Sequence, residues 1–195
     1  MAFDNSIYNV EKWIASKTYA KNDIVARIEL IGGTSTSNKI PKNTTYYYNL
    51  TGANTATAPE SDPTNWGGYV SVNGQKIPLF LWKPSYNVSV RHNPKVNVVK
   101  FGNGYEQRNP DGVFSQLIDM EITFDKRTER EARAILHFLK ARKAVESFSI
   151  KNLPNLYADN TAGGFRKRFV CPNFNSNFVF FNNYTVTASL TQENN

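Results

Sequence analysis

Strict alternation of apolar and polar side chains is the feature that most constrains the fold of this chain. Every second residue from Ile118 to Phe124 is apolar, and the residues between them include Asp119 and Glu121. Residues 184–190 alternate in the same way. A period of two is typical of strands that bury one face of a sheet. The sequence therefore predicts a mainly β fold of the α+β type.

One segment has a helical pattern instead. Thr128 and Glu131 have the spacing of a capping box, which starts a helix. An apolar stripe with a period near 3.6 follows, and the helix is expected to end near Lys143. Such a stripe predicts an amphipathic helix that packs on a sheet. Its members are Ala132, Ile135, Leu136 and Leu139.

The charge is unevenly distributed along the 195 residues. The net charge of +7 resides entirely in residues 76–195, whereas residues 1–75 are neutral. This shift predicts two domains, 1–72 and 76–195, with the seam at the turn-forming pair Asn73-Gly74. A basic half is compatible with an acidic partner such as nucleic acid. Because no recognition motif accompanies the charge, a solvated or interface charge excess is the favoured interpretation.

The sequence lacks the residue combinations that common enzyme chemistry needs. The chain has two histidines and a single cysteine, Cys171, so no zinc-ligand spacing and no internal disulfide can form. No nucleophile-elbow, phosphate-loop or zincin motif occurs. We expect no catalytic residue, no metal and no cofactor. Because no signal-peptide pattern and no long apolar run occur, we expect no membrane insertion. We also expect that the protein is made in a reducing cytoplasm.

The second half carries a family signature. Residues 101–108 read Phe-Gly-Asn-Gly-Tyr-Glu-Gln-Arg, after an aromatic opening that includes Trp82. With the later pairs Phe138-Leu139 and Ser147-Phe148, residues 79–192 closely resemble the minor tail protein M family of lambda-like phages. The chain departs from that family near Ile150, where a tryptophan is common, and in a longer loop at 155–164.

The resemblance implies a structural protein of the virion tail tip. Members look like distal tail proteins, with a split β-barrel or sandwich and a flanking helix, similar to the tail tube subunit. They form a ring, usually a hexamer, between the tail tube protein and the receptor-binding hub proteins of the tip or baseplate. The resemblance also implies that DNA passes through the lumen without specific binding. It implies as well that the protein is not an enzyme.

A ring subunit makes heterologous contacts with its neighbours. The predicted hairpin at Gly102–Gly104 and the following Tyr105, Gln107 and Arg108 are our candidates for these contacts, because tyrosine and arginine suit interfaces. The alternative is that Tyr105 and Arg108 fold the hairpin back on its own barrel. Both interpretations remain open at this stage.

A channel for DNA should not bind phosphates, because each phosphate that lysine or arginine neutralises adds affinity. The excess positive charge should therefore lie away from the lumen. We predict that the basic residues of the helix, Arg130, Arg133 and Arg142, face a neighbouring ring or the exterior.

Aromatic residues of the first half form a second pattern. Their order resembles that of small chitin-binding or carbohydrate-binding modules across residues 11–70, although Asn22 replaces a usual glycine and 31–43 looks inserted. The resemblance implies stacking on sugars, with cell-surface polysaccharide as partner. The alternative is that these side chains build the core of a small domain. The candidate carbohydrate-binding residues are Trp13, Tyr46, Tyr47, Tyr48 and Trp66.

Two other functions compete with the tail-tip ring. The first is a free-standing lectin-like module whose second domain only oligomerises. The second is a nucleic-acid binder that uses the basic half, for which salt-sensitive DNA binding would be diagnostic.

Overall fold

The computed structural model describes residues 11–31, 40–53, 56–72, 74–85, 87–112, 116–154, 157 and 167–193. It is mainly β with one α-helix, which confirms the predicted fold class. The described strands form four sheets and do not close into a barrel. Most of the predicted insertion at 31–43 and of the loop at 155–164 lies outside the described residues.

An antiparallel four-stranded sheet, here called the central sheet, organises the second half of the chain. Met120 lies opposite Leu190, and Ile122 lies opposite Ala188, so the two predicted alternating segments pair with each other. The side chains of both segments that point to one side, the inner face, are buried, except that Tyr184 is half-buried. In spatial order the strands are β12 (Arg168–Phe180), β13 (Asn183–Glu193), β10 (Gln116–Arg127) and β7 (Ser89–Pro94).

Helix α1 (Glu129–Arg142) covers the inner face. Its start is capped as predicted, because the Thr128 hydroxyl accepts a hydrogen bond from the Glu131 amide at 3.3 Å. It ends where Lys143 adopts a left-handed conformation, with φ of 52°. At 14 residues, this one described α-helix is too short and too polar to cross a membrane.

A cluster of aromatic rings forms the centre of the main core. Phe80 is completely buried, and its ring lies 5.1–5.9 Å from four neighbouring rings. Strand β6 (Gln75–Phe80) pairs with β5 (Tyr69–Val72) and with β11 (Ser149–Ile150) in a three-stranded sheet. The rings around Phe80 belong to Trp82, Phe124, Phe138 and Phe148.

The first half forms its own four-stranded sheet. Its order is β1 (Glu11–Lys12), β2 (Ile24–Ile31), β3 (Ile40–Asn49) and β4 (Trp66–Gly67). A small buried cluster lies on it, formed by Tyr19, Val25, Tyr47 and Trp66.

Strand β3 also connects this sheet to the main core. Tyr46 lies among the core residues of the second half, and its hydroxyl oxygen is 2.7 Å from His137 Nδ1. The predicted seam falls in the turn of the β5–β6 hairpin, where Val72 pairs with Gln75. The division into two domains stays a prediction.

Candidate assembly surfaces

A two-stranded hairpin extends the central sheet beyond the point where β7 ends and β10 begins. Its strands are β8 (Val96–Lys100) and β9 (Glu106–Pro110), and every side chain on them is exposed. We call this hairpin the arm. Its turn is the predicted one, with Asn103 and Gly104 both at positive φ, as an Asn-Gly hairpin requires. The arm pairs with no other described strand.

The arm presents the residues chosen as ring contacts. Tyr105 is 77% exposed, and Gln107 and Arg108 are exposed as well. The Arg108 guanidinium lies 3.2 Å from the Glu106 carboxylate within the arm. Tyr105 and Arg108 therefore do not pack on the core of their own chain. The arm also exposes an apolar set, Val96, Val98, Val99 and Phe101.

The outer face of the central sheet has a different chemistry from the rest of the molecule. Cross-strand partners share one face of a sheet, so the register identifies its members. They are polar or short apolar side chains, and the charged ones are Arg91, Asp119, Glu121, Arg168 and Glu193. The uncharged members are Ser89, Asn93, Leu117, Thr123, Val170, Asn173, Asn175, Asn177, Thr185, Thr187, Ser189 and Thr191.

The basic residues of helix α1 lie on the opposite side of the sheet. Arg130 and Arg133 are exposed there. Arg142 is not, which corrects the prediction that it faces a neighbouring ring or the exterior. Its side chain is buried, stacks at 5.1 Å on the Phe138 ring and pairs with Glu146 at 2.7 Å.

A second apolar surface was missed by the sequence analysis. The last three residues of β12, Phe178–Phe180, and the first residue of the turn before β13, Phe181, are all more than half exposed. We call these four residues the aromatic tip. The signal available in the sequence was a run of four large apolar residues inside a stretch without any charge from 169 to 192. Such a run predicts a strand, whereas its exposure depends on the tertiary fold.

Three of the five candidate sugar-binding side chains are buried. Trp66 is 3% exposed and packs edge-to-face on Tyr19 with ring centroids 5.3 Å apart. Tyr46 lies in the main core, and Tyr47 lies in the small cluster, where burial raises its pKa to about 12. No open ring face remains on these three for a sugar to stack on.

The other two candidates are partly exposed, but a cation lies over a ring face of each. The Arg27 guanidinium is 4.9 Å from the Trp13 ring centroid and forms a bidentate pair with Glu60. The Lys151 ammonium is 3.4 Å from the Tyr48 ring centroid. Tyr48 and Lys151 line a cleft of about 350 Å³ between the first half and the helix side of the second.

Reactive groups are sparse in the described part of the chain. No set of three or more His, Cys, Asp or Glu side chains there could hold a metal ion. Burial raises the pKa of Cys171 to about 11, which disfavours the nucleophilic thiolate. Burial, then the nearby Arg142 and Lys140, lower the pKa of His137, so its ring is neutral at pH 7.

A mainly β core with exposed apolar hairpins is typical of a protein that assembles with others. The comparison with known families identifies which class of assembly protein this chain belongs to. Residues 78–193, more than half of the chain, match the model of the phage minor tail protein family. The chain belongs to this family, as the signature at 101–108 predicted. Comparison with curated proteins gives no match.

Membership assigns a structural role in the phage tail, a place in the virion and contact with other tail proteins. The matched region contains the central sheet, helix α1, the arm and the aromatic tip. Residues 1–77 lie outside it, so the carbohydrate-binding resemblance of the first half stays a prediction.

Proposed function

We propose that this protein is a subunit of a closed ring, expected to be a hexamer, in the tail tip between the tail tube protein and the receptor-binding hub proteins. The arm is the observation that carries the proposal. A two-stranded hairpin alone is marginally stable in water, and this one exposes four apolar side chains and Tyr105. Such a hairpin gains its stability from a neighbouring subunit.

The edges of the central sheet support the same proposal. Its outermost strands are β7 and β12, and no described strand pairs with β7 on its outer side. Unpaired edges bind other strands unless they are protected, and a ring is a closed arrangement that uses two different edges of each subunit. Pro94 and Pro172 limit the hydrogen bonds that these edges can donate, which opposes uncontrolled pairing.

The outer face of the central sheet is suited to line a channel for DNA. Its three carboxylates outnumber its two guanidinium groups, and its remaining side chains are short and uncharged. A phosphate backbone gains no counterion release from such a surface. The basic side chains of α1 then lie outside the channel, so a protein with a net charge of +7 lets DNA pass.

The ring is tested by site-specific photocrosslinking in assembled virions. A benzophenone side chain in place of Tyr105 should crosslink the protein to a second copy of itself, giving dimers and higher multiples up to the ring size. Val145 is 82% exposed and lies beyond the C-terminal end of α1, so a benzophenone there is the control. Monomers alone at position 105 would contradict the ring interface proposed for the arm.

Glycan contact is a second candidate function, and it rests on the residues of the first half that keep exposed surface. These are Trp13 and Tyr48, of which Tyr48 faces the cleft with Lys151. The test is retention of the full chain on surface polysaccharide, with Tyr48→Ala as the variant and Tyr105→Ala as the control. If both variants are retained equally, or if the unaltered chain is not retained at all, glycan contact is excluded. The ring proposal would stay intact in either case.

A further inference from the structure

The aromatic tip is the most exposed apolar surface in the described part of the chain. Phe181 is 89% exposed, and the three residues before it are each 57–65% exposed. A soluble monomer rarely leaves several large apolar side chains together in water, and such patches mark interaction sites. The tip therefore has a partner in the assembled particle.

The shape and charge of the tip restrict what this partner is. Successive strand residues point to opposite faces, so Phe178 and Val179 project in opposite directions. A flat surface would cover only one side, whereas a socket covers both. None of the four tip residues is charged, and the charged residues nearest in the fold, Arg127 and Glu129, lie at the base of the tip. An apolar socket is the surface that fits the tip.

The tip is held in a fixed position before any partner binds. In the turn, the Asn182 side-chain oxygen accepts a hydrogen bond from the Glu129 amide at 2.9 Å, which ties the turn to the start of α1. The Phe178 ring packs edge-to-face on Tyr184 with centroids 5.4 Å apart. A preorganised anchor loses less conformational entropy when it inserts.

The position of the tip indicates the direction of its contact. β10 begins at the end of the central sheet that leads into the arm, and it ends at Arg127, which pairs with Tyr184 beside the tip. Arm and tip therefore lie at opposite ends of the same sheet. In a ring closed through the sheet edges, one of these ends faces along the ring axis toward the next component of the tail.

We propose that the aromatic tip inserts into an apolar socket on a different tail protein, the one stacked at that end of the ring. The proposal rests on the proposed ring function. A second copy of this chain is the wrong occupant. Head-to-tail contacts between identical rings would repeat without closing and would produce a filament, and a tip-to-tip contact would offer each tip another tip instead of a socket.

The direct test places a benzophenone side chain at Phe181 in assembled virions and identifies the adduct by mass spectrometry. The expected product joins this chain to one different virion protein. A product with a second copy overturns the proposal, as does the absence of any protein adduct, which a tip inserted in lipid would give. Val145 is the matched control and should not yield the same adduct.

The same virions separate this proposal from the ring. A self-adduct from position 105 together with no heterologous adduct from 181 overturns the tip socket only. No self-adduct from 105 contradicts the ring proposal, whatever position 181 gives.

A charge variant supplies the functional test. Phe181→Asp should leave folding unchanged, because the side chain is almost fully exposed, yet lower the yield of infectious particles on the order of tenfold or more, as loss of a buried aromatic anchor does. Val145→Asp places the same charge at a similarly exposed apolar residue and should retain the full yield. Equal yields from the two variants overturn the proposal.

Discussion

The two faces of the central sheet are built from the same strands but differ in what covers them. The inner face packs under α1 mainly with apolar side chains, whereas the outer face carries mainly hydroxyls, amides and a few charges. The inner face supplies the free energy of folding, because burial of apolar area is the dominant favourable term. The arm and the tip remain exposed for the proposed assembly, and the outer face for the proposed lining of the channel. Under this proposal, folding and assembly use different surfaces of the same sheet.

The largest expected effect is a loss of folding stability on the inner face. Two adjacent residues of β10 that point to opposite faces allow the two faces to be compared. Ile122→Ala should lower the free energy of unfolding by about 2–5 kcal/mol, because it opens a cavity under α1. Glu121→Ala removes a side chain of the outer face and should change it by no more than about 0.5 kcal/mol. Urea denaturation measures both. Comparable losses would contradict the division of roles between the faces.

A charge added to the outer face should affect function and leave stability nearly unchanged. Thr187→Lys should reduce infectious yield roughly tenfold, because a ring of lysines would bind passing DNA through counterion release. Thr187→Ser is the matched control. Virions of the lysine variant should also release DNA more slowly at low salt than at high salt. An unchanged yield with normal release would place this face outside the channel.

A smaller effect is expected where the first half joins the main core. Tyr46→Phe removes the hydrogen bond to His137 and keeps the buried ring, so the free energy of unfolding should fall by about 0.5–1.5 kcal/mol. Tyr105→Phe removes an exposed hydroxyl and should have no measurable effect. If Tyr46→Phe proves neutral, this contact contributes nothing to joining the two halves.

The smallest expected effect is a pH dependence from the burial of His137. The folded state lowers the pKa of His137 below its usual value of 6.5, so the unfolded chain binds more protons as the solution becomes acidic. This part of the stability is complete above pH 6.5 and declines as the pH falls from there toward the lowered pKa. Denaturation between pH 7.5 and about 5.5 should show this slope, and His137→Gln should flatten it. An identical slope in the variant would assign it to other groups.

Local signals in the sequence predicted the parts of the fold that depend on local chemistry. The alternation around Ile122 gave the strand, Thr128 and Glu131 gave the helix start, and Asn103-Gly104 gave the hairpin turn. These patterns require only neighbouring residues in the chain. The signature at 101–108 likewise predicted the family, and the family match assigns the chain a role in the phage tail.

The sequence could not predict which aromatic side chains are covered. Trp66 and Phe181 are both large apolar residues near turns, yet one is buried in the small cluster and the other is exposed at the tip. Arg142 follows the basic pattern of its helix but is buried against Phe138. These outcomes depend on which segments meet across the fold, and periodicity contains no information about that.

Imaging of the tail tip in intact virions, at a resolution that traces strands, tests the central claim most directly. The account predicts a closed ring of this chain in which the outer face of the central sheet lines the channel and helix α1 lies outside it. A density with α1 toward the lumen, or with this chain as isolated copies around the tip, would contradict it.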